Sequence, residues 1–122
     1  MTKYEDFVKT TDLSNGDPIF YILGMLEEAG EIAGICKRVL RGDYGELVKS
    51  DAQRGNWYLA FRNEDVLLDL TKEKGDEHWY STGLLNSLGI TLNDVENINM
   101  KKLKERLEKG KIMGKGDNRE SD

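Results

Sequence analysis

The chain is poor in the residues that usually mark a site or a staple. It has a single cysteine, a single proline and a single histidine in 122 residues. One cysteine, Cys36, excludes an internal disulfide, and its place among apolar helical positions reads as a small core residue. Cys36 and His78 stand alone, so no zinc set can be assembled from them. A di-iron carboxylate bundle needs Glu-x-x-His, and Gly75 occupies the position three before His78. No Walker A sequence is present; Gly114-Lys115-Gly116 is too short to be one. No apolar run approaches the roughly 20 residues of a transmembrane helix. The opening MTKYEDFVK shows no apolar signal region, so a cytoplasmic protein is expected, with no membrane partner. No repeat with a period of 20–50 residues is visible.

What the chain has in quantity is charge. Charged residues make up 34% of it, and the formal net charge is −5. An acidic balance argues against stable nucleic-acid binding. The distribution is uneven: residues 1–98 carry a net −8, and residues 99–122 carry a net +3. An acidic body with a basic end suits a polyanion held through a cation at one place and by side chains at another; the alternative is a solvated last helix.

Helical periodicity and cap chemistry divide the chain. A first helix is expected over about 3–13, capped by Thr2, with Tyr4, Phe7 and Val8 on its apolar side. Ser14-Asn15-Gly16 is a turn. Asp17-Pro18 is an N-cap followed by a favoured first helical residue, and it opens a second helix to about residue 41, stopped by Gly42. Its apolar stripe is read as Ile22, Met25, Leu26, Ala29, Ile32, Ala33, Cys36, Val39 and Leu40. Gly24, Gly30 and Gly34 each weaken that helix by roughly 1 kcal/mol relative to alanine, which makes sense if a neighbouring helix or a ligand comes close. Residues 42–63 lack a readable period, and Trp57, Tyr58 and Phe61 within them suit core or interface packing, or stacking on a base. A third helix is expected over about 64–88. Thr91 and Asp94 form the start of a fourth, with Val95, Ile98, Leu103 and Leu107 apolar and Gly110 as its stop. Residues from about 111 form a polar, Gly-rich tail.

Two acidic clusters lie inside these apolar patterns: Glu27-Glu28-Ala29-Gly30-Glu31 and Glu73-Lys74-Gly75-Asp76-Glu77. Residues three and four apart share a helix face, so Glu28 pairs with Glu31 and Glu73 with Asp76. Glu73 and Glu77 also fall on the apolar stripe Val66, Leu70, Tyr80, Leu84, Leu88. Carboxylates there need compensation, and a hard divalent cation supplies it. The alternative is ordinary solvated helix faces.

The stretches LEEAGEIAGICKR, KEKGDEHWY and KLKERLEKGKIMGKGDNR, in that order, resemble the MazG-like all-α nucleoside triphosphate pyrophosphohydrolases. The resemblance implies an all-α four-helix bundle, spanning residues 1–122 as one domain, with its core completed by a homodimer or a dimer-based tetramer. It implies Mg²⁺, with Mn²⁺ as a substitute, held by Glu28, Glu31, Glu73 and Asp76. It assigns Glu27 or Glu77 to the attacking water. It places Tyr80 at the nucleotide, with a core position as the alternative, and Asp117, Asn118 and Arg119 where the family closes the site; by side-chain chemistry Lys102, Arg106, Lys115 and Arg119 are candidates for phosphate contacts and Asn99 for a polar nucleotide contact. The implied reaction splits a (deoxy)nucleoside triphosphate into the monophosphate and pyrophosphate, as nucleotide-pool house-cleaning. A narrower dCTP, dUTP or modified-nucleotide pyrophosphatase is one alternative, and a non-catalytic helical interaction protein is another. The 42 positions from Glu31 to Glu73 exceed the family's compact spacing, so about 42–63 reads as an insertion.

Overall fold

Cap chemistry sets where the long helices begin and end. The computed structural model describes residues 3–14 and 16–110, and they form six helices without a strand among them. The fold is all-α, as expected. Helix α1 spans Lys3–Thr11, α2 Pro18–Arg41, α3 Glu46–Gln53, α4 Trp57–Ala60, α5 Glu64–Leu88 and α6 Leu92–Glu108. The Asp17 carboxylate accepts from the Ile19 and Phe20 amides at the start of α2, and Gly42 closes it at φ 89°. Thr91 and Asp94 form a complete capping box on α6. The first helix is two residues shorter than expected, because the Thr10 and Thr11 hydroxyls bond back to α1 carbonyls at its last turn. Thr2 and Asn15, expected as cap and turn, lie outside the described residues.

The chain divides into two units, Met1–Leu88 and Gly89–Asp122. In the first, α2 and α5 make the principal helix pair. They run antiparallel: Tyr21 lies against Gly83 at one point, and Gly24 against Tyr80 a turn further on. Each tyrosine ring fills the space where a side chain on the facing glycine would be. A Cβ at Gly24 would sit 2.2 Å from the Tyr80 ring, and one at Gly83 would sit 2.6 Å from Tyr21. The expected close approach at Gly24 is therefore helix packing. At Gly30 and Gly34 nothing lies within 4 Å of such a Cβ.

The segment expected to be an insertion builds the core. Ile35 and Val39 of α2 and Val66 of α5 pack with Val48 and Ala52 of α3 and Ala60 of α4, and Tyr44, Trp57, Phe61 and Leu70 close around them. Residues 42–63 are thus two short helices that cover one end of the α2–α5 pair. Trp57 and Phe61 serve this packing, while Tyr58 is exposed with the Arg62 guanidinium 5.9 Å from its ring centroid. A polar clamp holds the same end. The Tyr44 hydroxyl donates to Asp69 at 2.6 Å, and Arg38 approaches Asp69 at 3.8 Å.

The inner face of α2 differs from the expected stripe. Tyr21, Gly24, Ile35 and Val39 are buried; Ile22, Leu26, Ala29, Ala33 and Leu40 are exposed, and Met25, Ile32 and Cys36 are half-buried. The helix is apolar on two sides, so periodicity alone cannot say which side faces inward. Ile19, Leu23, Leu26, Gly30 and Gly34 recur at three- and four-residue steps on the side roughly opposite α5. On α5 the expected stripe holds better: Val66 is buried, Leu70, Glu73, Glu77, Tyr80 and Leu84 are half-buried, and Leu88 is exposed. In the second unit, the expected apolar positions of α6 (Val95, Ile98, Leu103 and Leu107) are all exposed.

Candidate metal and substrate site

Antiparallel pairing of α2 and α5 brings the two acidic clusters face to face. Glu28 from α2 and Glu73 and Asp76 from α5 each offer a carboxylate oxygen, and these oxygens lie within 4.8 Å of one another. The i, i+3 spacing of Glu73 and Asp76 puts both on one side of α5, and the register fixed by the Tyr–Gly contacts sets Glu28 opposite them. Glu28 and Glu73 are half-buried; Asp76 is exposed. Glu31, the fourth expected ligand, is exposed and stands outside this trio.

The crowding has an electrostatic signature. The Glu28 carboxyl is pushed up from 4.5 to about 7, first by desolvation, then by a hydrogen bond with Glu73 and by the charges of Asp76, Glu73 and Glu27. Near neutrality the trio thus tends to share a proton, offsetting part of its own negative charge. Tyr80 feels the same field: desolvation first, then Glu28, Glu27 and Asp76, raise its hydroxyl above the ordinary tyrosine value.

Glu28, Asp76, Trp79 and Tyr80 line a cavity of about 350 Å³. It combines carboxylates on one wall with two aromatic rings on another, the rings edge-to-face at 5.2 Å. Trp79 is not among the site residues expected from the sequence. The signal that points to it is its place three residues after Asp76 and beside Tyr80, which puts an indole at the rim of the acidic face. Helix α1 borders α5 here: Tyr4 stacks on His78 at 4.8 Å, and the Trp79 indole N–H donates to the Thr11 hydroxyl at 2.8 Å.

The two candidates for handling water differ. Glu77 is half-buried and held by Lys74 at 2.8 Å. Glu27 is exposed, and its charge is felt at Glu28. Of the expected substrate contacts, Tyr80 joins the trio's cavity. Asn99 and Lys102 line an apolar groove of about 330 Å³ within the second unit, with Ile90, Val95 and Ile98. Arg106, one turn beyond Lys102, is buried. Lys115, Asp117 and Arg119 lie outside the described residues.

All donors of the trio are hard carboxylate oxygens with no nitrogen or sulfur among them, a set that suits a hard divalent cation without selecting one. Among the described residues no helix is long and apolar enough to cross a membrane.

No protein-family model and no solved structure matches this chain. The Gene 37 protein of Mycobacterium phage L5 is similar to it, 36% identical over 100 residues that cover 82% of this chain and 75% of that protein. At that identity and coverage the chain belongs to the family of the phage L5 Gene 37 protein.

Proposed function

We propose that the protein is a MazG-like nucleoside triphosphate pyrophosphohydrolase that acts in the cytoplasm, with Mg²⁺ (or Mn²⁺) held by Glu28, Glu73 and Asp76 and with Glu31 reaching the site when it is loaded. The observation that carries this reading is the convergence of three carboxylates from two facing helices, beside a cavity walled by Trp79 and Tyr80. A triphosphate nucleotide has parts matching both walls: a polyanion that needs a cation between itself and carboxylates, and a planar base that suits aromatic rings. The fit to a cation rests on the trio itself: desolvation first, then the hydrogen bond with Glu73 and the neighbouring carboxylate charges, make Glu28 retain a proton up to about pH 7. When bound, the cation would neutralise phosphate oxygens and acidify water.

The chain's own residues supply the rest. Glu27, exposed and close enough to act on Glu28, is the group proposed to orient the attacking water and accept its proton; Glu77 is the less available one because Lys74 holds it. Water adds across the anhydride between the α- and β-phosphates, the bridging P–O bond breaks, and the monophosphate and pyrophosphate leave. Tyr80 is proposed to border the nucleotide. Asn99, Lys102, Arg106, Lys115, Asp117 and Arg119 are retained as proposed nucleotide contacts on the chemistry of their side chains. Removal of non-standard nucleotides from the pool is the role this reaction suits.

The decisive experiment is pyrophosphate release from a panel of canonical and modified (d)NTPs in Mg²⁺, Mn²⁺ or EDTA. The expected result is metal-dependent formation of monophosphate and pyrophosphate, abolished by EDTA, with the rates across the panel naming the base preference and deciding between a general and a dCTP- or dUTP-directed enzyme. No turnover by folded protein across the panel would sink the enzyme reading and leave a helical interaction protein.

We further propose that the protein works as a homodimer or a dimer of dimers. Ile19, Leu23 and Leu26 are 55%, 59% and 67% exposed on the side of α2 away from α5, and Gly30 and Gly34 continue that stripe with no other part of the described residues within 4 Å of a Cβ placed there. Multi-angle light scattering should give at least twice the mass of one 13.9 kDa chain, and Leu26→Asp should return the monomer mass. A wild-type monomer at micromolar concentration contradicts the dimer.

A further inference from the structure

The indole of Trp79 is held from outside its own helix. Its N–H donates to the Thr11 hydroxyl at 2.8 Å across 68 residues of sequence. Thr11 ends α1, and its own hydroxyl proton is directed to the Val8 carbonyl at 3.1 Å, which leaves an oxygen lone pair for the indole. The same α1 is also fixed on α5 at its first turn. Tyr4 stacks on His78, next to Trp79 in sequence, and the Asn86 amide donates to the Glu5 carbonyl at 3.1 Å. Tyr80 meets the indole edge-to-face, and Tyr21 lies 6.5 Å from it between ring centroids. Those ring contacts restrict where the indole sits, and the polar bond to Thr11 is what fixes which edge it turns toward the cavity.

We infer that Thr11 is a positioning residue for nucleotide binding: through the bond to Trp79 it sets the aromatic wall of the cavity that Glu28 and Asp76 also line, and so governs affinity for the planar part of the ligand. The inference rests on the nucleotide reading given above. Thr11 touches neither the carboxylates nor the reacting phosphates in this account, so its effect falls on binding and leaves the chemical step alone. An isosteric Thr11→Val keeps the volume and removes the acceptor, whereas Thr11→Ser keeps the acceptor.

The test uses the full chain. The sequence has two tryptophans, so the ¹⁵N-labelled protein gives two indole N–H signals, and Trp79→Phe identifies that of Trp79. Thr11→Val should move the Trp79 signal and speed its exchange with water; Thr11→Ser should leave both near wild type. With the best-hydrolysed nucleotide of the panel, Thr11→Val should raise KM about three- to ten-fold with kcat within about two-fold, the size expected for one lost hydrogen bond. In a Trp79→Phe background, Thr11→Val should add nothing further to KM. An unmoved indole signal in Thr11→Val overturns the inference, as does a KM effect of equal size in the Trp79→Phe background. If the wild-type protein hydrolyses no nucleotide, the nucleotide reading falls, and with it the binding role of Thr11; the indole signal then decides separately whether Thr11 holds the ring.

Discussion

Replacing Gly24 with alanine is expected to lower the stability of the protein by about 1–3 kcal/mol, even though alanine is the better helix former. Alanine would favour α2 by roughly 1 kcal/mol through helix propensity. Against that, its methyl group would stand 2.2 Å from the Tyr80 ring, far inside contact distance. Tyr80 cannot simply swing away, because Phe20 lies at 5.9 Å and Trp79 at 5.2 Å between ring centroids. Relief must come from moving α5 off α2, which costs more than the propensity gained. Gly83→Ala meets the same obstacle at Tyr21, whose hydroxyl is engaged by Asp12. A drop in Tm on the order of 5–15 °C in thermal unfolding is the expected reading for either variant. Activity should fall with it, since the shift separates Glu28 from Glu73 and Asp76. Gly30→Ala is the control. Among the described residues nothing outside its own helix turn lies within 4 Å of its Cβ position, so within one chain it should stabilise by up to about 1 kcal/mol. If the proposed second subunit covers that stripe, Gly30→Ala instead weakens the dimer, and light scattering separates the two effects. A Gly24→Ala protein as stable as wild type would mean that the Tyr80–Gly24 contact does not set the helix spacing.

Those Tyr–Gly contacts also explain what was legible in the sequence. The ends of α2, α5 and α6 could be read because Asp17-Pro18, Gly42, Gly89 and the Thr91–Asp94 box act within a few residues of where they sit. The acidic faces could be read because i, i+3 spacing is a property of one helix. Which carboxylates meet is a property of two helices in a particular register, and that register is set by Tyr21, Gly24, Tyr80 and Gly83. A clue was present: Tyr-x-x-Gly occurs once in each helix, as Tyr21-Ile22-Leu23-Gly24 and Tyr80-Ser81-Thr82-Gly83. Read together in antiparallel order, they would have set Glu28 opposite Asp76.

The rest was hidden for physical reasons. Residues 42–63 fold as helices of eight and four residues, too short for a period to show, and joined through Gly42, Gly45 and Gly55 in positive-φ conformations. Their role in the core depends on Val48, Ala52 and Ala60 meeting Ile35, Val39 and Val66, contacts made by tertiary packing. The inner side of α2 was hidden by its second apolar side. The bond between Trp79 and Thr11 was hidden because it joins residues far apart in the chain, and neither residue carries a charge.

The metal-free protein should become less stable as pH rises from about 5 to 8, and Mg²⁺ should reverse this at the alkaline end. The sign follows from Glu28. Its carboxyl titrates near 7 in the folded protein and at its ordinary 4.5 when unfolded, so between those values the folded state holds a proton that the unfolded state has lost. Stability is then full below about 4.5, falls as pH climbs through the window, and is flat above it. A shift of this size, discounted for the partial exposure of the site, corresponds to on the order of 2 kcal/mol. In EDTA, Tm at pH 8 should therefore lie roughly 5–10 °C below that at pH 5.5. At pH 8 Glu28 has lost its proton, so millimolar Mg²⁺ should raise Tm there; at pH 5.5 that proton competes and the rise should be small. Glu73→Gln leaves the desolvation of Glu28 in place but removes a charge and alters the hydrogen bond that add to it, so in that variant the decline with pH should become shallower and the Mg²⁺ response should disappear. The proposed metal-dependent pyrophosphate release should fall at least about a hundred-fold, since a proposed ligand and part of the charge that would position the cation are lost together. A Tm that is independent of pH in EDTA and indifferent to Mg²⁺ at pH 8 would show that the three carboxylates are not strained against one another. They would then be an acidic patch on helices held together by the Tyr21–Gly83 and Tyr80–Gly24 contacts and by the core of Ile35, Val39 and Val66.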